Sequence, residues 1–305
     1  MRTQPIMFPY QPTWSNTRIN LLQRCPRAFV LRYGLAQLSK HHAQGRLLSV
    51  AFQIQTPWVL LHQTIREVLL DYIEDHGIGN QWSKGLLRAR VKADYTKAIQ
   101  RRNQRIRTIQ SQHMAQSFTV VEPEVHLIEM GVDTCLKLLE NPNFVALLSE
   151  GSIERIEATT SVLQGKIRIY AAPDFIHYGQ DRTSLVKFNL YGQVTRRERE
   201  RQAALIKLYG DNESTVIQFS LKYRKWSVNT VVSTQTQTKQ TLNLVSQDVE
   251  KMEAMFAQVG KNNDLSLIPL ADSFRSCMNC NVLALCPSRH GYEHAKAEQR
   301  SLMCQ

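Results

Sequence analysis

Three cysteines fall within ten residues at FRSCMNCNVLALCP, residues 274–287, in a chain that holds six in all. Cys277 and Cys280 stand as C-x2-C, which puts two sulfurs on one tight turn, and Cys286 can close round the same centre. Three thiolates from one loop need a fourth ligand. Cys25 is one candidate: its C-P-R context echoes the C-P-S at Cys286, and its use would bring the two ends of the chain together. A zinc site of three cysteines and one histidine, His290 or His294, is the other. Cys135, inside the helical-looking VHLIEMGVDTCLKLLE, reads as a buried small hydrophobe, and Cys304 as incidental.

The N-terminal MRTQPIMFPYQPTW has no apolar core followed by a small-residue cleavage site, and no long uninterrupted apolar run occurs. The expectation is a cytoplasmic chain with no membrane partner, whose clustered thiols ligate metal in a reducing compartment.

Thirty-eight Lys and Arg against 26 Asp and Glu give a formal net charge of +12, which calls for an anionic partner, nucleic acid first. The excess is uneven. Between Lys84 and Arg107 stand Arg88, Arg90, Lys97, Arg101, Arg102 and Arg105 among other bases, against the single acid Asp94. A solvated helix face normally mixes signs, so this block is expected to track phosphates, the plainer reading being a soluble basic helix. KYRKW offers Lys222, Arg224 and Lys225 interleaved with Tyr223 and Trp226, a nucleic-acid contact or an ordinary exposed strand end.

Ser15 is placed to cap a first helix, Pro26 opens a second that Gly34 ends, and a polar loop follows. Pro57 and Trp58 open an amphipathic helix with Leu61, Ile65, Leu69 and Tyr72 at helical spacing, stopped at Gly77. Residues 83–118 and 124–141 continue the helical pattern. From Ile153 the chain reads as short strands: RIEATTSVL, KIRIYAAPDFIHY and LVKFNLY, then helix at 198–210, then STVIQFSLKY and WSVNTVV. STQTQTKQT reads as a polar turn or loop, and SQDVEKMEAMFAQV as a last helix. The order is that of an α/β domain with helical additions.

SNTRINLLQRCPRAFVLRYG at 15–34, followed some 250 residues later by FRSCMNCNVLALCP, resembles the iron-sulfur RecB-like branch of the PD-(D/E)XK nuclease superfamily, which includes the CRISPR adaptation exonucleases. The resemblance runs from about 15 to 290. It implies a restriction-endonuclease-like α/β core, a mixed central sheet flanked by helices, with a helical N-terminal insertion and a C-terminal iron-sulfur loop. Cys25, Cys277, Cys280 and Cys286 would hold a 4Fe-4S cluster that staples the termini. The implied organisation is an arm at 1–14, one domain at 15–292 (helical part 15–150, sheet core 151–232, C-terminal helix and cluster loop 241–292) and a tail at 293–305.

The resemblance also implies a magnesium or manganese site, because carboxylates hold a hard divalent ion and a nearby lysine assists water. Asp174 in AAPDFIHY matches the aspartate of that motif, and His62 resembles its helical histidine ligand, though a histidine beside an apolar stripe is more often a core residue. The next strand then departs from the pattern. Lys187 stands where a carboxylate is expected and Asn189 where the lysine is expected. Two unit charges about 4 Å apart at an effective dielectric near 20 interact by roughly 4 kcal/mol, so this exchange works strongly against a bound cation. Gln202, in the following helix, has Ile206 four residues on where relatives carry tyrosine, so the third motif is half kept.

The leading expectation is a DNA-binding protein, for single strands or duplex ends, that has lost cleavage and serves beside a helicase, nuclease or integrase. The alternatives are an active Mg- or Mn-dependent deoxyribonuclease with Lys187 as a relocated catalytic lysine, helped by Glu157 or Asp181, and a scaffold that holds an acidic protein.

Overall fold

Helices fill the first half of the chain. The computed structural model describes residues 12–38, 43–111, 118–190, 195–211, 213–259, 264–278, 280–283, 286, 288 and 291–304. A short strand β1 (Thr13–Ser15) leads into α1 (Asn16–Arg24), α2 (Pro26–Tyr33), a 3-10 turn at Leu35–Leu38, α3 (Ala43–Ala51), α4 (Pro57–Gly77), α5 (Lys84–Gln110), α6 (Val125–Leu139) and α7 (Pro142–Ser149). Their starts follow local chemistry. The hydroxyls of Ser15, Thr56 and Ser83 accept the N–H groups of Arg18, Val59 and Leu86, satisfying donors that a helix start leaves over. Proline occupies the first turn of α2, α4 and α7, where its missing N–H costs nothing.

The second half builds two sheets. β2 (Ser152–Arg155), β3 (Val162–Gln164), β4 (Ile167–Tyr170), β5 (Phe175–Tyr178) and β6 (Thr183–Asn189) precede α8 (Arg196–Ile206), after which come β7 (Thr215–Lys222), β8 (Lys225–Val231) and α9 (Gln235–Ala257). The main sheet has the order β2-β5-β6-β7-β8 and is mixed: β6 and β7 run parallel, joined across α8, and the other pairs are antiparallel. β1, β4 and β3 form a second, three-stranded sheet. The central strands β5, β6 and β7 are largely buried on both faces, as their apolar-rich runs require, while the edge strands β2 and β8 are half exposed. Phe175, Val186, Phe188 and Phe219 pack into the cluster that α4, α5 and α6 supply, while Leu185, Ile176 and Val216 pack against Ala203 and Ile206 of α8. Mixed α/β architecture, a mixed sheet flanked by helices, is therefore observed.

Several elements differ from the sequence reading. Thr13 and Trp14 belong to β1 rather than to a loose arm, residues 1–11 lying outside the described residues. Trp14 is fully buried, donates its indole N–H to Asp248 of α9 at 3.0 Å, and carries the Arg201 guanidinium 5.3 Å from its ring centroid. The stretch KIRIYAAPDFIHY is two strands in two different sheets. Pro173 cannot donate to a ladder and sits between them. RIEATTSVL likewise breaks, only its ends pairing. α3 replaces part of the polar loop after Gly34. STQTQTKQT is helix: Thr234 and Gln237 form a capping box that starts α9 eleven residues before the expected Ser246.

The expected tail is also structured. α10 (Arg275–Met278) carries Cys277, and α11 (Tyr292–Met303) packs back on the chain. Tyr292 donates its hydroxyl to Ala271 O at 2.6 Å, Lys296 reaches the carbonyls of Leu270 and Ala271, and Gln299 spans Leu270 N and Ile268 O. No helix among the described residues is long and apolar enough to cross a membrane.

Candidate functional site

Asp174 lies at the start of β5, its N–H bound to Val186 O and its C=O to Ile156 N, so the main chain is fixed between β6 and the end of β2. Its side chain is fully buried. Oδ1 accepts from Arg66 Nε at 2.9 Å, from Arg66 Nη2 at 2.5 Å and from Lys187 Nζ at 3.0 Å, and Oδ2 accepts from Phe188 N–H at 2.6 Å. Both carboxylate oxygens are thus engaged, one of them by two cations. Lys187 also donates to Ala172 O at 2.8 Å. Burial works against the Arg66 guanidinium, and Asp174 and Glu67 together more than offset it, leaving that pKa above the ordinary arginine value.

These groups stand at the back of a cleft of about 750 Å³. α1 and α2 contribute Arg24 and Arg32, α4 contributes Arg66, and β6 contributes Lys187 and Asn189, with Gln202 of α8 nearby. No acidic side chain lines it among the described residues. The acids of α4 are turned to other use. Glu67, Asp71 and Glu74 share the guanidinium of Arg155 at 2.6, 3.0 and 2.8 Å, and Glu67 also takes Arg66 Nη1 at 2.7 Å. Glu157 is exposed outside the cleft lining, and Asp181 sits in the exposed turn between β5 and β6, at the far end of those strands from Asp174. A hard cation there would meet positive charge and one carboxylate already neutralised.

His62 is not in this cleft. It is buried one turn before Arg66, edge-on to Trp58 at 4.5 Å between ring centroids, and burial lowers its pKa. Arg66 is the α4 residue that reaches Asp174. Sequence reading missed it, along with Arg24 and Arg32. The i,i+4 relation to His62 was the available signal for Arg66, since both lie on one helix face.

The basic helix α5 is less available than its charge suggests. Arg102 is 6% exposed and donates to Gln55 O at 2.8 Å and Thr119 O at 3.0 Å, so it ties loops together rather than facing a ligand. Arg88 pairs with Glu129 and Arg90 with Asp71, at 2.7 and 2.6 Å, and Arg105 reaches Gln53 O. Lys97 and Arg101 are exposed. At the other block, Lys222, Arg224 and Lys225 are exposed, whereas Trp226 is held inward, its indole N–H bound to Thr134 O at 2.9 Å.

Cys25, Cys277, Cys280 and Cys286 line one cavity. Cys25 is the hinge between α1 and α2: its N–H closes α1 on Leu21 O, and its Sγ accepts Ala28 N–H at 3.4 Å as the cap of α2. Arg27 fastens this corner to the C-terminal segment, its guanidinium donating to the carbonyls of Leu265, Ser266 and Ile268 and its N–H to Pro269 O. Asn281 does the same for the cysteine loop, donating to Ala51 O and Ile54 O. The thiols form no disulfide. Burial pushes the Cys280 thiol up to about 11 and raises those of Cys25 and Cys277. Ser288 donates to Cys286 Sγ at 3.1 Å.

No group of three or more His, Cys, Asp or Glu side chains that could hold a metal ion occurs among the described residues. Of the candidate zinc histidines, His294 pairs with Glu298 on the exposed side of α11, and His290 lies outside the described residues. What the corner shows is four cysteines lining one cavity, with the Arg27 guanidinium close to Cys25 and Cys286.

No family model matches the chain, and no curated protein does. Among solved structures, an Eubacterium rectale protein provisionally described as an exonuclease matches 58% of this chain and 69% of its own at 11% identity and a TM-score of 0.30. The protein SSO0001 matches 72% of this chain and 94% of its own at 11% identity and a TM-score of 0.28. Likenesses of that size carry no weight for what this chain does.

Proposed function

We propose that this chain is a nucleic-acid-binding protein of nuclease-like α/β architecture that grips DNA in the Arg24–Arg32–Arg66–Lys187 cleft and does not hydrolyse it. The observation that carries the reading is Asp174, whose two oxygens are taken by Arg66, Lys187 and the Phe188 N–H inside a cleft without acidic lining. Phosphates suit such a surface, since each contact from Arg or Lys releases condensed counterions. A 4Fe-4S cluster held by Cys25, Cys277, Cys280 and Cys286 would supply a structural staple at the α1–α2 corner, the wall of the cleft that carries Arg24 and Arg32. The chemistry would then fall to a helicase, nuclease or integrase partner.

An active deoxyribonuclease with Lys187 as its lysine draws on the 3.0 Å contact between Lys187 and Asp174. The same contact, with Arg66 on the same oxygen, removes the negative charge a magnesium or manganese ion would need. The test is incubation of labelled single-stranded and duplex DNA with the protein and Mg²⁺ or Mn²⁺ across 50 to 200 mM salt, a range over which about six phosphate contacts weaken binding on the order of 10³-fold. Intact DNA, bound with steep salt dependence that becomes shallower by about one in Arg24→Ala or Arg32→Ala, is the expected outcome. Cleavage abolished by Asp174→Ala would overturn the proposal.

A further inference from the structure

A second hollow of about 300 Å³ adjoins the cleft, and Leu190 lines both. Its floor is mainly apolar, built from Leu61 and Ile65 of α4 and Met130 of α6, with the buried His62 and Thr134 beside them. Its mouth is different. Trp58 is 46% exposed and Tyr223 78% exposed, Trp58 standing edge-on to His62 and Tyr223 carrying the Lys222 ammonium 5.3 Å from its ring centroid. Lys222 and Arg224 flank Tyr223, and neither forms an ion pair among the described residues. The turn that presents them is itself costly: Tyr223 and Arg224 have φ of 49° and 60°, the two central positions of a tight β7–β8 hairpin, where Asn and Gly fit with less strain. The chain thus holds a bulky aromatic and an arginine in a backbone conformation that neither favours, both aimed at the mouth of this hollow.

We propose that the hollow receives the terminal unpaired base of a nucleic-acid strand whose phosphates lie in the cleft. This rests on the nucleic-acid reading above. A flat ring with an apolar face matches the floor and the exposed Trp58 and Tyr223 rings, because stacking on aromatic side chains accepts any base. The phosphate next to that base would meet Lys222 and Arg224, the guanidinium offering two parallel donors. Continuity through Leu190 lets one strand occupy both places, with its phosphates among Arg24, Arg32, Arg66 and Lys187 and its end turned into the hollow.

The experiment uses the full chain and a short single strand carrying the fluorescent base 2-aminopurine at the 5′ end, the middle or the 3′ end. A fluorescence change on binding confined to one terminal label is expected. Tyr223→Ala and Trp58→Ala should each abolish that change and weaken single-strand binding roughly 5- to 100-fold, the span of one lost stacking contact. Trp58→Phe should keep most of both, and blunt-duplex affinity should stay the same in all three variants, which also reports that they are folded. An equal response at every label, or none, with strand binding intact, overturns the hollow alone. Absence of any salt-sensitive binding to strand or duplex overturns the nucleic-acid reading and the hollow with it.

Discussion

The cysteine corner and the Asp174 cleft share a wall, Arg24 facing both, yet they assemble opposite chemistries. At the corner, Cys25 meets three cysteines from the far end of the chain, and like groups converge on one cavity. At the cleft, the one carboxylate meets two cations and a backbone N–H, and unlike groups cancel. The corner leaves four thiols lining a cavity, while the carboxylate of the cleft is already satisfied by protein. The comparison teaches that a buried carboxylate at a matching sequence position is not evidence of a metal site until its partners are known. A buried carboxylate must be paired, and here arginine and lysine supply what an ion elsewhere would.

The largest expected effect falls on the corner. Cys25→Ser should strip iron, about four atoms per chain in anaerobically prepared wild type, and lower stability by on the order of several kcal/mol, since metal-site binding energy is folding energy. Metal analysis and chemical denaturation check both. Stoichiometric zinc in place of iron would break the comparison at this end. A smaller effect is alkaline. In iron-free protein the raised thiols of Cys25, Cys277 and Cys280 stay protonated when folded, and an unfolded thiol ionises near 8.5. The unfolded chain therefore binds fewer protons above that pH, and stability is full below it and falls as pH climbs towards about 11, the value for Cys280. Ligated thiolates have no proton to lose, so iron-loaded protein should lack that decline in melting temperature. Identical alkaline profiles with and without iron would count against ligation.

Local signals account for what the sequence made legible. Ser15, Thr56–Pro57, Ser83 and Gly77 mark helix limits because capping chemistry is short-range, and the β7–β8 hairpin follows from its strand pattern. Two misreadings were avoidable on the same grounds. Thr234 and Gln237 are spaced as a capping box inside a polar stretch that looks like a loop. Arg102 sits in the buried series Tyr95, Ile99, Arg102, Ile106, Ile109, whose helical spacing places it inward whatever its charge. What sequence could not supply is tertiary. Arg66 lies 108 residues from Asp174 and Trp14 lies 234 from Asp248, and only the packing of α4 on the main sheet and of β1 on α9 brings them together.

The central claim is that Asp174 is held by protein cations rather than by a metal ion. Chemical unfolding of wild type and Asp174→Asn, each in chelator and in millimolar Mn²⁺, tests it most directly. With Arg66 and Lys187 deprived of the buried carboxylate they share, the variant should be about 3 kcal/mol less stable than wild type in chelator. Manganese should leave wild type unchanged, since only a ligand of the native state shifts its stability. A variant as stable as wild type in chelator, beside a wild type that alone gains stability with Mn²⁺, would contradict the account.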